Sequence, residues 1–317
     1  MKTIFPDYYE DFKCTASACR HNCCIGWEID IDDESLVRYR SVGGEFGKRL
    51  KNSISRRPSP HFILGEHERC PFLNECNLCD IYSELGEDAL CQICADHPRF
   101  RNFYSGSTEI GLGLCCEAVA ELVLGREEPV RFLFSEDDET SEKPDELEKQ
   151  VFKTKYDVLG MLQDRRMPLS ERMEKALQLC GAEMPELKNS ELARFFLSLE
   201  RLDEKWTEVL GELIAVENID FEGFGTYAES FAHEYEQLAV YFVYRHMGAQ
   251  LFEGCIAGAM GLAAISLRLL YTIGAMEYTK NGKFEFAERC ELVRLYSAEI
   301  EYSQENIDVL LDAFAGE

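Results

Sequence analysis

Three stretches of the chain, FKCTASACRHNCCIGW (12–27), CPFLNECNLCDIYSELGEDALCQICADHPR (70–99) and GLGLCCE (111–117), hold eleven of its fourteen cysteines. They are Cys14, Cys19, Cys23, Cys24, Cys70, Cys76, Cys79, Cys91, Cys94, Cys115 and Cys116. Cys180, Cys255 and Cys290 are scattered through helical-looking sequence and read as small buried hydrophobes. The clustered set calls for one shared explanation.

Disulfides, zinc and an iron–sulfur cluster compete for that explanation. The opening MKTIFPDYYEDFK has no apolar h-region and carries acids early, so a secretory route to disulfides is not expected. A chain of 317 residues can also build a core without covalent staples. Thiolate–metal binding fits better. Cysteines two residues apart, as in Cys76–Cys79 and Cys91–Cys94, can turn both sulfurs onto one ion or cluster. Neighbouring side chains diverge, so each adjacent pair, Cys23-Cys24 and Cys115-Cys116, offers one ligand and one packing contact, or serves two sites. The spacings are irregular: four residues separate Cys14 from Cys19, three separate Cys19 from Cys23, and eight separate Cys70 from Cys79. Irregular loops around a larger inorganic core suit a [4Fe–4S] cluster better than a single zinc ion, which stands as the alternative.

Outward from the cysteines, the chain reads as mostly α. An irregular, cysteine-rich, metal-nucleated module with short strands is expected over 1–125. A charged, proline-broken connection covers 126–146, and an all-helical domain covers 147–317. Within the module, Glu28–Asp32 alternates like a short strand and Asp32-Asp33-Glu34 starts a helix that ends at Gly43-Gly44. FRNFYSGSTEIGLG reads as a hairpin turning at Gly106. From 147 on, apolar residues recur at three and four: Leu147, Val151, Val158, Leu159, Leu162. Residues 255–276 are long and apolar, but Arg268 interrupts them, so a buried core helix is expected rather than a membrane span. Hydrophobic residues make up 46% of the chain, enough for a packed core, and the formal net charge is −26. That charge argues against nucleic acid and anionic membrane surfaces, and suits a partner that presents lysines.

The string F-x-C-x4-C-x3-C-C-x-G-W, then C-P-F-L, L-C-x-I-Y-x-x-L-G-E, L-C-x-x-C, a Pro-Arg pair and C-C-E, resembles the flagellin lysine-N-methylase family. YEQLAVYFVYRHM (235–247) resembles a helix of the same family. His97 stands where the family carries an aromatic residue, and Cys76 is additional to the pattern. The resemblance implies a cytoplasmic enzyme that moves a methyl group from S-adenosylmethionine to lysine side chains of flagellin, with a [4Fe–4S] cluster involved. A non-catalytic iron–sulfur or zinc protein, such as an electron carrier, a metal-handling protein or a structural module, is the alternative.

Candidate ligands on this reading are Cys14, Cys19, Cys23, Cys24, Cys70, Cys79, Cys91, Cys94, Cys115 and Cys116, not all of which need bind. His21 is a further candidate and reads more simply as a hydrogen-bonding neighbour. No glycine-rich nucleotide loop is present; Gly111-Leu112-Gly113 runs straight into Cys115. S-adenosylmethionine must then be held otherwise, for instance on an open iron of a cluster with three protein ligands. Arg99, beside the last cysteine pair, is the candidate cofactor-binding residue, able to pair with cluster charge or a carboxylate. Lysine methylation needs a neutral amine and an aromatic-lined site. Helical spacing puts Tyr241, Tyr244 and Arg245 on one face as candidate catalytic residues, and Tyr235, Leu238 and Phe242 on another as core.

Overall fold

A computed structural model describes residues 2–136, 143–248 and 255–315. The stretch 137–142 of the expected connection and the Cys255 side chain lie outside the described residues. In chain order the first elements are β1 (Lys2–Pro6), α1 (Asp33–Ser41), α2 (Gly44–Asn52), β2 (Ile54–Ser55), β3 (His61–Phe62), α3 (Asp80–Leu85) and α4 (Gln92–Asp96). Next come β4 (Arg99–Phe103), β5 (Ser107–Leu112), α5 (Glu117–Leu124) and β6 (Phe132–Glu136).

Beyond these, every described element is helical: α6 (Glu146–Leu162), α7 (Leu169–Cys180), α8 (Asn189–Leu197), α9 (Glu204–Ala215) and α10 (Phe221–Ala228). They continue with α11 (Ala232–His246), α12 (Cys255–Asn281), α13 (Phe286–Tyr296), a π-helical turn at Ser297–Glu301, and α14 (Gln304–Ala313).

The chain forms two units, Lys13–Phe100 and Met1–Phe12 together with Arg101–Glu317. This differs from the boundaries read from composition, and strand pairing is the reason. β1 runs parallel to β5, with Ile4 opposite Glu109, and antiparallel to β6, with Ile4 opposite Phe134. The sheet order is β4-β5-β1-β6. The N-terminus, residues 101–125 and the first part of the expected connection therefore join the helical unit. The cysteine-bearing unit is inserted between β1 and the rest of that sheet along the chain. A parallel β1–β5 pair needs a long crossover, which no local composition signal announces.

In the Lys13–Phe100 unit, Ile29, Ile31, Leu36, Tyr39, Leu50, Phe62 and Phe72 form the core. Glu28–Asp32 keeps the alternation expected of a strand, with Ile29 and Ile31 buried. It makes only a single bridge, Asp30 with His61, instead of a ladder. Asp32 caps α1 by accepting from Ser35 N at 2.8 Å, and its other oxygen accepts from Gln92 N at 2.8 Å. One side chain thus fixes the starts of two helices. His97 is half-buried against Trp27, and its desolvation pulls its pKa down to about 4. Its neutral form is the one the fold accepts, so stability falls as pH drops from about 6.5, where the unfolded imidazole protonates, toward 4. Urea unfolding at pH 7 and pH 4.5 is expected to show a loss of about 2 kcal/mol that His97→Phe removes.

In the larger unit, α11 and α12 form the centre: α12 packs on α11, α14 and α7, and α11 on α6 and α5. α12 is long and apolar enough to cross a membrane, and most of it is buried within this unit. Arg268 donates to the carbonyls of Pro185 and Leu187. Gly258 and Gly261 let α14 approach closely; an added Cβ would run into the Leu311 carbonyl and the Phe314 ring respectively. Gly261→Ala is therefore expected to cost about 1–3 kcal/mol by overpacking. A calorimetric melt lowered by about 2–12 °C would register it.

Candidate metal centre and buried polar networks

Five thiols gather at the core of the Lys13–Phe100 unit. Cys70 and Cys91 belong to that core, and Cys24, Cys79 and Cys94 pack against it. Two of them stand at helix starts. Cys79 stands at the N-terminus of α3 and Cys91 at that of α4. The amides of Phe72 and Leu73 point at the Cys70 sulfur, those of Ile81 and Tyr82 at Cys79, and that of Cys94 at Cys91. N–H groups at a turn or helix start favour negative charge on the atom they face.

The loop carrying Cys79 is itself clamped. Asn74 Oδ1 accepts from Cys76 N at 2.9 Å and Leu78 N at 3.0 Å, and Arg69 Nη2 donates to Asn74 O at 2.6 Å. Arg49 ties α2 to Asp80 at 2.6 Å and to Pro71 O at 2.5 Å.

The thiols sense one another. A hydrogen bond from Cys24 lowers the Cys23 pKa to about 7, while Cys24, which keeps its proton, is raised by that bond and by burial. Cys91 is likewise lowered by its bond with Cys94, and Cys94 is raised. Burial pushes Cys70 up to about 11, with the charges of Cys79 and Cys91 adding to it. Crowded thiols that repel as thiolates are what a cation or cationic cluster relieves. Among the described residues no three His, Cys, Asp or Glu side chains stand in the geometry of a single-ion site. The fit to a metal group rests on the donor chemistry: five sulfurs with amides aimed at three of them.

The other expected ligands are placed differently. Cys14 and Cys23 are exposed, Cys23 while hydrogen-bonded to Cys24, and Cys19 Sγ lies 3.3 Å from the His21 carbonyl; Cys76, additional to the pattern, is exposed as well. Cys115 and Cys116 belong to the larger unit. Arg99 Nη1 donates to Ala95 O at 3.4 Å, at the end of α4.

Of the three candidate catalytic residues, two come together. Arg245 Nη1 donates to Tyr241 Oη at 2.7 Å, and Tyr241 Oη donates to Glu301 Oε2 at 2.9 Å while accepting from Leu114 N at 3.2 Å. His246 Nε2 lies 2.7 Å from Glu301 Oε1, and Arg245 Nε 3.5 Å from the same oxygen. Arg245 also lies over the Tyr302 ring at 5.2 Å. Cys115 hydrogen-bonds Tyr302, and burial pushes its thiol up to about 12. Burial opposes the Glu301 charge, yet Arg245 and His246 keep its carboxyl below the usual range. Glu301 closes the π-helical turn, a distortion that often marks functional positions.

Tyr244 points elsewhere. Its hydroxyl donates within reach of the Ile4 and Ile110 carbonyls, at 2.9 and 3.0 Å, and its ring stacks on Phe132 at 4.7 Å. Helical spacing alone grouped it with Tyr241 and Arg245. The expected division of α11 into a core face and a face of candidate catalytic residues gives way to burial nearly all round. Beside Tyr244 is a second network. Buried Lys155 pairs with buried Glu109 and donates to Tyr244 O at 2.7 Å. Tyr104 and Tyr156 donate to the Glu109 oxygens at 3.0 and 2.9 Å. Glu301, Tyr302, Glu109 and Lys155 were not singled out by sequence reading. Lys155 did carry a signal: it falls on the apolar stripe, four residues after Val151 and four before Leu159.

Architecture and donors together define a helical protein with a small mixed sheet and an inserted unit that gathers thiols. The family model of the FliB lysine N-methylase C-terminal domain matches residues 182–317. Lysine-N-methylases of Salmonella choleraesuis (strain SC-B67) and Salmonella typhimurium (strain LT2) are each 31% identical over 132 residues, 38% of this chain and 31% of theirs. The flagellar biosynthetic protein FliU of Salmonella muenchen is 30% identical over 132 residues, 38% of this chain and 75% of FliU. The chain belongs to the FliB lysine-N-methylase family. The matched stretch spans about a third of the length of the two lysine-N-methylases. No solved structure gives a significant match.

Proposed function

We propose that this protein transfers methyl groups from S-adenosylmethionine to lysine side chains of a flagellar protein, flagellin by family, and that a [4Fe–4S] cluster takes part. The reading places it in the cytoplasm, where thiols stay reduced. The observation that carries the cofactor part is the gathering of Cys24, Cys70, Cys79, Cys91 and Cys94 with amides directed at Cys70, Cys79 and Cys91. These residues would hold the cluster, and an iron left without a protein ligand would supply a Lewis-acidic seat for the amino and carboxylate groups of S-adenosylmethionine.

The transfer itself breaks the sulfonium S–CH3 bond, leaves its electron pair on sulfur, and forms an N–CH3 bond with the lone pair of a neutral lysine amine. The lysine proton must leave first, which desolvation favours by lowering an ordinary pKa of about 10.4.

The test is purification without oxygen, followed by iron, sulfide and zinc analysis and an absorption spectrum before and after S-adenosylmethionine. Methylation of flagellin is then followed by mass spectrometry. A cluster with a cofactor-dependent spectral change and a mass gain of methyl increments is the expected result. Zinc without sulfide, and no methyl gain, would leave a non-catalytic metal-bearing module.

A further inference from the structure

An open recess of about 530 Å³ lies on the larger unit, lined by Asp220, Glu222, Gly223, Thr226, Tyr227 and Tyr278. Its walls are two aromatic rings and two carboxylates. Tyr227 and Tyr278 stack at 5.0 Å and 26°. Tyr227 is fixed through its hydroxyl, which donates to Phe284 O at 3.1 Å and accepts from Phe284 N at 3.2 Å. Asp220 is fixed at both ends: its N–H donates to Thr279 Oγ1 at 2.9 Å, and its carboxylate accepts from Gly223 N at 2.8 Å. The carboxylate lies so close over Gly223 that a Cβ there would collide with it.

Charge decides what the recess can take. The nearby cations are already matched: Lys280 with Glu212 and Glu277, Lys283 with Glu285, Arg289 with Glu234. Among the described residues, Asp220 and Glu222 have no basic partner, and no basic residue lines the recess. Lys280 sits about 200° round α12 from Tyr278, away from the opening. Two carboxylates without a basic partner, beside two tyrosine rings, attract an alkylammonium and repel phosphate or carboxylate ligands. The volume is ample for one long side chain.

We infer that this recess is a subsite for a lysine side chain, methylated or not, of the protein acceptor. The identity of that occupant rests on the proposed lysine methyl transfer; the ammonium chemistry rests on the recess itself. Methylation keeps the positive charge, so substrate and product lysines share the recognition, and neighbouring lysines of one acceptor can hold it while another reacts.

The test uses the full protein in two arms. In the first, Nα-acetyl-lysine amide and its Nε-trimethyl form are titrated separately against protein with labelled tyrosines, with Tyr227 and Tyr278 ring signals followed by NMR. Binding of either probe is expected, weakened by salt. In the second, flagellin methylation is measured for Glu222→Gln and Tyr278→Ala. KM is expected to rise about tenfold with kcat held. Glu208→Gln, an exposed acid on α9, removes the same charge and leaves KM unchanged. Glu222 is exposed, so its variant folds even where Tyr278→Ala does not. Failure of both probes to shift either ring, or an unchanged KM in Glu222→Gln, overturns the subsite. A wild-type protein that methylates nothing removes the proposed function, and the probe titration still decides the recess.

Discussion

Changing Cys91 and Cys94 together to serine is expected to abolish binding of the proposed cluster and, on the proposed function, to lower methyl transfer by more than about 100-fold. Among the described residues, these two alone combine CxxC spacing with placement of both members at the thiol-rich core. Cys91 is almost wholly buried and takes the Cys94 amide. The double change removes both sulfurs of the paired loop, so that only Cys24, Cys70 and Cys79 of the gathered set remain, none of them two residues from another. Altering partners one step removed from a metal already costs about 10–100-fold. Because such sites bind metal and fold together, the Lys13–Phe100 unit is also expected to lose resistance to proteolysis. Cys76→Ser, at an exposed position outside the gathered set, provides the comparison and is expected to keep full metal content. Iron, sulfide and zinc analysis of the two variants decides the matter. Full occupancy in the Cys91/Cys94 double variant would put the site elsewhere.

Glu109→Leu is expected to destabilise the larger unit by about 3–5 kcal/mol. The carboxylate is fully buried and is the partner of Lys155, Tyr104 and Tyr156. Removing it strands a buried ammonium, which burial already pushes toward its neutral form. The melting temperature is expected to fall by about 6–20 °C. Adding Lys155→Met to the same chain is expected to restore most of the loss, because an apolar pair of similar volume fills the site without a lone charge. Denaturant melts of the two single variants and the double variant supply the cycle. A double variant no more stable than Glu109→Leu would mean that the carboxylate acts mainly through the tyrosines.

Much of the local structure was legible before any coordinates. The helix expected to start at Asp32-Asp33-Glu34 is capped by Asp32, and Gly106 lies between β4 and β5 as the expected hairpin has it. Each depends on residues within a few positions of one another, so sequence neighbours suffice. The buried character of α12 followed from its apolar length interrupted by Arg268. Cys76 departed from the family pattern and is exposed.

The sequence by itself determined which residues are special. The cysteine spacings set apart a thiol-rich module, the three-and-four periodicity dictated the helical half, and the spacing of Tyr241, Tyr244 and Arg245 marked one helix as a candidate site. Only the tertiary structure decided which of these meet. It sorted ten candidate ligands into a gathered five and scattered others, and sent Tyr244 to the sheet while Tyr241 and Arg245 went to Glu301. It also moved the boundary of the cysteine unit from 125 to 100 by pairing β1 with β5. The physical reason is range. Caps, turns and amphipathic stripes are settled by forces acting along a few residues. Glu301 and Arg245, or Glu109 and Lys155, lie far apart in the chain, and only helix and strand packing brings their charges into the same dry interior.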